Sequence, residues 1–358
     1  MRMIRGKACR TAGTSGRPRL RGAAVGLLAL AAGGALAMQG SAAPASSCFG
    51  KQATVTGTGT ITGTEGDDVI VGSSGNDTIN GLGGDDRICG LAGTDGITGG
   101  LGDDRLDGGP GDDFIRGDSF NPAGDAFGGG DDWLYGGEGS DGMTGDSIAL
   151  PGGDATGGGD DRLYGGPGDD GMIGDSNALG GGGAATGAGD DRLHGGPGRN
   201  FLVGDSNAND GNASGNGGDD LLDAGTEGGS LAIGDHNTNT PGRTATGAGE
   251  DKIIGGSSDD LFIGDSAADN VTDAGDDVLE GGGGNDRLFG DNTNAVGTVT
   301  TGGNVGGDDK LEGDDGDDTL RAGPEDDRLD GGADTDDCDG EAGDGDKAEH
   351  CETTTGLP

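Results

Sequence analysis

From Gly63 onward the chain repeats every nine residues, and this period limits what it can fold into more than any other feature. Glycines recur at Gly63, Gly72, Gly81, Gly90, Gly99, Gly108 and Gly117, and a second column runs Gly66, Gly75, Gly84, Gly93, Gly102 and Gly111. Two places on stand Asp68, Asp77, Asp86, Asp95, Asp104 and Asp113, and two further on stand Ile70, Ile79, Ile88, Ile97, Leu106 and Ile115. Four residue columns held through six consecutive units mark a stacked repeat, in which each unit buries its apolar face only against its neighbours.

The repeat matters because composition alone argues for disorder. Of 358 residues 91 are Gly, and only 29% are hydrophobic and 3% aromatic, too little for an ordinary globular core of this length. Such a chain cannot offset its conformational entropy unless short segments share one continuous core. The column chemistry supplies that core. Glycine lets the backbone adopt positive φ and approach a ligand closely. Aspartate offers a hard anionic oxygen of the kind Ca²⁺ prefers. An aliphatic residue between polar neighbours reads as one inward position of a short strand.

The pattern G-G-x-G-x-D-x-U-x, with U a large aliphatic, resembles the RTX (haemolysin-type) Ca²⁺-binding nonapeptide repeat, from Gly63 to about Gly340. The resemblance implies an all-β fold, a right-handed parallel β-roll in which six residues form a turn and three a strand, so that two nonapeptides close one coil. It also implies multiple bound Ca²⁺ ions held by the turn aspartates.

Past Gly117 each unit holds two nonapeptides and then an extra stretch opening with Gly-Asp-Ser or a close variant. Its Asp recurs at Asp118, Asp146, Asp175, Asp205, Asp235, Asp265 and Asp291. With two nonapeptides per coil, these insertions emerge from one edge as a stack of loops, with ion contacts shared among those Asp residues. The expected metal ligands then form two columns. The loop-side column is Asp68, Asp86, Asp104, Asp132, Asp161, Asp191, Asp220, Asp251, Asp277, Asp309 and Asp327. The opposite column is Asp77, Asp95, Asp113, Asp141 and Asp170, then Asp260, Asp286, Asp318 and Asp336, with departures from the pattern at Asn200 and Gly229. The core column continues as Leu134, Met143, Leu163, Met172, Leu193, Leu202, Leu222, Leu231, Ile253, Phe262, Leu279, Leu288, Leu311, Leu320 and Leu329, although the stretch Ala224 to Gly234 carries one residue too many at Leu231. The expected organisation is a regular roll over 63–116, a roll with one insertion per coil over 117–306, and regular repeats again over 307–340. A Thr-rich cap (46–62) precedes it and a tail (341–358) follows.

Residues 1–45 read as a signal peptide: seven basic residues with no acid, an apolar run from Ala23 to Met38, and Ala43-Pro44-Ala45 at the cleavage position. The expected location is extracellular. That segment holds seven of the 21 basic residues and none of the 66 acids, so the net charge of −45 becomes −52 for the remainder. Such a polyanion repels nucleic acid and anionic membranes and attracts multivalent cations. Four cysteines remain. Three pairings are open to them, and proximity favours Cys48–Cys89 and Cys338–Cys351, one clip at each end. A zinc site competes, but the chain has no C-x-x-C and only three histidines.

Gly145 to Leu150 resembles the serine block of GDSL-type esterases, yet the tripeptide recurs with the coil period, which favours a structural turn over a nucleophile. Arg87, Arg105, Arg162, Arg192, Lys252, Lys310 and Arg328 follow loop-side Asp residues and read as neutralising those carboxylates. The residues therefore point to a secreted, non-enzymatic, Ca²⁺-dependent structural or surface-interaction protein. An esterase, or an ice- or polysaccharide-binding protein suggested by Thr54 to Thr62, stands as the alternative.

Overall fold

The computed structural model describes residues 46–358 except 295, 296, 299 and 302–304, so the expected signal peptide lies outside the described residues. Among the described residues the regular elements are all strands, each two to six residues long. Two parallel sheets of 13 strands each carry the architecture. The first runs from Val55–Thr56 through Val69–Ser73 and Arg87–Leu91 to Lys347–Glu349, the second from Thr60–Thr62 through Thr78–Gly83 to Thr353–Thr355. Successive nonapeptides alternate between the sheets, so two close one coil. The fold is a parallel β-roll.

Register follows the aliphatic column. In the first sheet Ile70 pairs with Ile88, Ile88 with Leu106 and Leu106 with Leu134; in the second Ile79 pairs with Ile97, Ile97 with Ile115 and Ile115 with Met143. Side chains alternate across a strand, so in Arg87-Ile88-Cys89 only Ile88 points between the sheets, where it is fully buried. The inward residues of both sheets merge into one core that runs from Ile61 to Cys338. Each buried aliphatic contributes about 1.5–3 kcal/mol; a three-residue strand gains too little to persist alone, and stacking supplies the rest.

Leu231 is a correction. The core slot at that level is Ala232, paired with Leu202 and Phe262, while Leu231 faces outward beside Phe201 and Leu261. The surplus residue is absorbed in the turn near Thr226, since Glu227 bridges Pro197 and Gly228 meets Gly198. Ser230, and not Gly229, therefore occupies the Asp position. Phe262, the bulkiest fully buried side chain, lies directly beside small Ala232 and fills the volume that a second leucine would have taken.

The insertions are more than loops. Five of them supply two short strands each, forming two further five-stranded parallel sheets, one from Phe120–Asn121 to Asn237–Thr238 and one from Ala126–Phe127 to Ala245–Thr246. Between these sheets lies a core made only of alanine, including Ala126, Ala149, Ala155, Ala178 and Ala185. A second, narrower roll is thus fused to one edge of the first, its sheets close enough that a methyl group fills the gap. Asn207 and Asn237 donate from Nδ2 to Oδ1 of Asn177 and Asn207 (2.9 and 2.8 Å), a side-chain ladder along this smaller roll.

Both ends are closed. Cys48 is bonded to Cys89 and Cys338 to Cys351, the pairings expected by proximity, so none of the four is free for zinc. The segment expected as a tail contributes the last strand of each long sheet.

The revised register has a measurable consequence. Phe262→Ala should destabilise the Ca²⁺-loaded protein by about 3–5 kcal/mol, and Leu231→Ala by clearly less, in chemical unfolding followed by circular dichroism. Equal losses would return Leu231 to the core.

Candidate metal centre

Each coil turns twice between the sheets, and at each turn an Asp just ahead of the strand points inward along the roll. Its carboxylate is used in a fixed way. The Asp86 N–H donates to Asp104 Oδ1, Asp104 N–H to Asp132 Oδ1 and Asp132 N–H to Asp161 Oδ1, each at 2.7 Å. The same link joins Asp161 to Asp191, Asp191 to Asp220 and onward through Asp251, Asp277, Asp309 and Asp327. On the opposite edge it joins Asp77, Asp95, Asp113, Asp141 and Asp170, and then Asp260, Asp286, Asp318 and Asp336. All 20 expected aspartates are buried and stand in the two expected columns.

The second carboxylate oxygen is the informative one. Oδ2 of Asp86, Asp104, Asp132, Asp161, Asp191, Asp220, Asp251, Asp277, Asp309 and Asp327 is buried and makes no hydrogen bond. So is Oδ2 of Asp95, Asp113, Asp141, Asp170, Asp286, Asp318 and Asp336. Each except Asp327 Oδ2 converges with a backbone carbonyl on a glycine. A Cβ placed on Gly81 would collide with Asp86 Oδ2 and the Gly99 carbonyl, and one on Gly145 with Asp161 Oδ2 and the Gly174 carbonyl. Glycine is required there because the oxygens of two coils converge on its Cα. Buried anionic oxygens without a hydrogen-bond partner, packed beside backbone carbonyls, form the donor set of a hard divalent cation such as Ca²⁺.

Three of the 20 differ. Asp68 Oδ2 accepts from the Thr64 N–H (2.7 Å) and hydroxyl (2.9 Å), Asp77 Oδ2 from the Ser73 N–H (2.6 Å) and hydroxyl (2.9 Å), and Asp260 Oδ2 from the Gly256 N–H (3.3 Å). The ends are also capped by other groups. Thr54 Oγ1 donates to Asp68 Oδ1 (2.9 Å), in place of a preceding Asp N–H. At the other end Asp346 Oδ1 accepts from Asp327 N–H (3.1 Å) and Glu352 Oε2 from Asp336 N–H (2.9 Å). Sequence reasoning stopped at Asp336; the alternation Asp346, Ala348 was the missed sign of another coil.

The interrupted stretch shows what replaces a cation. Asp170 N–H donates to Asn200 Oδ1 (3.0 Å), so Asn200 keeps the column link. Its Nδ2 takes the place of Oδ2 and donates to the carbonyls of Gly196 (3.1 Å) and Ala224 (2.9 Å). Ser230 continues the column, its Oγ accepting from Asn200 N–H (3.1 Å) and donating to Ala224 O (3.3 Å). Here the converging carbonyls are satisfied by N–H and O–H donors of the protein itself.

The basic stripe does not neutralise the columns. Among the described residues no ion pair joins Lys or Arg to a column Asp; Lys252 and Lys310 pair with Glu280 (2.7 Å) and Glu312 (2.6 Å) on the outer face. Arg105 and Arg162 instead flank the Trp133 ring at 4.0 and 5.1 Å. The insert serines Ser147, Ser176 and Ser206 are fully buried. His236 is buried as well, its Nδ1 accepting from Ser206 N–H (3.3 Å), and burial pushes its pKa down.

The family model for the RTX calcium-binding nonapeptide repeat matches residues 62–97, 94–121, 128–147, 155–178, 180–210, 245–271, 271–294 and 312–346, more than half of the chain. The chain belongs to this RTX family. No curated protein matches it. As an RTX repeat protein it binds multiple Ca²⁺ ions, and the buried Asp and Gly oxygens of its turns provide suitable donors.

Without a cation, burial pushes the column carboxyls upward: Asp86 and Asp113 to about 6, Asp104 and Asp327 to about 8, and Asp132, Asp161 and Asp191 well above the usual carboxylate range. A pKa raised on folding means that the folded state binds protons more tightly. Its stabilisation is present below the unfolded value and disappears as pH rises through the folded value. Metal-free protein should therefore gain β-structure as pH falls from about 8 through 6, so that less Ca²⁺ is needed to complete folding, while protons compete with Ca²⁺ and lower the affinity of the folded columns for it over the same range. A metal-free spectrum that does not change across this window would contradict the burial of these carboxyls.

The interrupted column yields a second expectation. Asn200→Asp removes the stand-in amide, so it should increase the Ca²⁺ needed for half-folding while adding an ion at saturation. Asp191→Asn, in the unbroken column, should reduce the ions bound. Ion counts at saturation, measured by atomic emission after gel filtration, check both; equal counts for the wild type and the two variants would refute the site assignment.

Proposed function

We propose that the protein is exported unfolded and folds outside the cell as Ca²⁺ fills its turns, serving there as a structural and surface-interaction module. The observation that carries this reading is the pair of buried carboxylate columns in which 17 of the 20 Oδ2 atoms have no hydrogen-bond partner. Burying one unpaired charge costs several kcal/mol, and the columns hold many. Ca²⁺ supplies the missing countercharge, so its binding free energy becomes folding free energy. Extracellular Ca²⁺ modules work at roughly 10⁻⁴–10⁻³ M, a range that keeps the chain unfolded in a low-Ca²⁺ cytosol. The basic, acid-free N-terminus supports export, and the two disulfides fit an oxidising compartment.

A structural role is favoured over catalysis because Ser147, the serine of the block that resembles an esterase, lies buried inside the fused rolls. The outer face of the first sheet supports the surface-interaction part. Tyr135 and Tyr164 stack there at 5.1 Å, next to the Trp133 ring and its two arginines. Flat aromatic faces of this kind suit the sugar rings of a polysaccharide.

Circular dichroism of the mature protein tests the folding mechanism. In EDTA the spectrum should be coil-like, and it should become β-rich on Ca²⁺ addition. Mg²⁺ should act poorly, because it demands a tight octahedron and retains its water. A β-rich spectrum in EDTA at pH 8 would overturn the reading.

A further inference from the structure

The aspartates that open the insertions lie outside the nonapeptide motif, yet the fold brings them against the loop-side column. Asp118, Asp132 and Asp146 each place a carboxylate oxygen within 4.8 Å of the others, and so do Asp146, Asp161 and Asp175. All five are fully buried. Both oxygens of Asp118, Asp146 and Asp175 make no hydrogen bond, nor does Oδ2 of Asp132 and Asp161. Three anionic groups are thus aimed into each of two enclosed spaces, with no Lys or Arg ion pair among the described residues to offset them.

The returning strand of each insertion closes the space from the other side. A Cβ at Gly128 would strike the Asp118 carboxylate, one at Gly157 the Asp146 side chain and the Gly128 carbonyl, and one at Gly187 the Asp175 side chain and the Gly157 carbonyl. Glycine at these three positions lets the chain leave the insertion at the point where it entered. Carboxylates and carbonyls of the main roll and of the fused smaller roll therefore surround the same two points.

We propose that Asp118, Asp146 and Asp175 are Ca²⁺ ligands, and that the insertions convert the adjoining loop-side positions into two three-carboxylate sites, Asp118/Asp132/Asp146 and Asp146/Asp161/Asp175. Each site clamps the alanine-cored roll to the main roll. The proposal rests on Ca²⁺ filling the turns and adds a second class of site to it. An opposite-edge turn such as the one at Asp95 offers a single inward Oδ2 per level. Affinity in oxygen-ligand sites rises with the number of charged ligands, so the three-carboxylate sites fill before the single-carboxylate turns. Asp146 belongs to both and is the residue on which the pair depends.

The test is a Ca²⁺ titration of the full mature protein against a fluorescent chelator, for wild type, Asp146→Asn, Asp118→Asn and Asp95→Asn. Asparagine keeps the shape and removes the charge. The wild type should show a tight class of ions; Asp146→Asn should weaken two of them roughly tenfold or more, Asp118→Asn one, and Asp95→Asn none. Thermal unfolding in EDTA near pH 7, where the metal-free chain retains part of its β-structure and not every buried carboxyl is protonated, separates ligation from simple packing. A ligand role requires Asp146→Asn to raise the metal-free midpoint, because it relieves repulsion, while lowering the Ca²⁺-loaded one; a packing role lowers both. A tight class unchanged in Asp146→Asn, or lost equally in Asp95→Asn, would overturn the proposal. A wild-type chain that took up no Ca²⁺ would overturn the turn sites as well.

Discussion

Everything in this fold depends on placing carboxylates side by side in a dry interior. Inside the columns, away from their first members and from Asp260, an Asp accepts at one oxygen the N–H of the preceding coil's Asp, which fixes the carboxylate against the backbone. It leaves the other oxygen without a partner among converging carbonyls. Hydrogen bonds alone cannot balance that arrangement, because both the carboxylate and the carbonyls are acceptors. Only a cation, or a proton, turns mutual repulsion into cohesion. The hydrophobic core is a single file of aliphatics between two sheets, and it can close only when the turns on either side are held at strand spacing. The metal-binding and core-forming residues are therefore parts of one cooperative unit.

Asn200 and Ser230 make the same point from the opposite direction. Where the column lacks a carboxylate, the chain supplies N–H and O–H donors to the carbonyls that a cation would otherwise meet. One stretch of the opposite edge is thereby freed from the ion while the coil geometry continues unchanged. At this level the loop-side column carries Asp191, Asp205, Asp220 and Asp235, all fully buried or nearly so.

Legibility in the sequence tracked periodicity. Where the nine-residue register was intact, from Gly63 to Gly117, every column residue stands where its spacing placed it, because in a solenoid the local period and the tertiary position are the same quantity. It failed where that identity broke. At Leu231 a surplus residue disappeared into a turn whose length the pattern could not reveal, shifting the core slot to Ala232 and the ligand slot to Ser230. The insertions read as loops because their strands are only two residues long and their core is alanine, which carries no hydrophobic signature. The recurrence of Ala155, Ala185, Ala213 and Ala245 one per coil was the available sign. The arginine stripe misled for a different reason: adjacency in sequence to the Asp column places a residue on the opposite face of a strand, so Arg105 meets Trp133 and never the carboxylates.

The fused second roll also changes what a cation does mechanically. In an uninserted coil a cation held by the column would join one turn to the next along the roll axis. In an inserted coil the turn is opened after its first glycine, at Gly117 or Gly145, and the chain returns many residues later through Gly128 or Gly157. The alanine-cored sheets bring only methyl groups to their own core, and Arg116 over the Phe120 ring is one side-chain tie between them and the main roll. Placing an acid immediately after the glycine and another glycine at the return brings both strands of the opening onto the carboxylate. Gly-Asp at the start of each insertion and Gly at its return thus hold the two ends of the opening against one carboxylate.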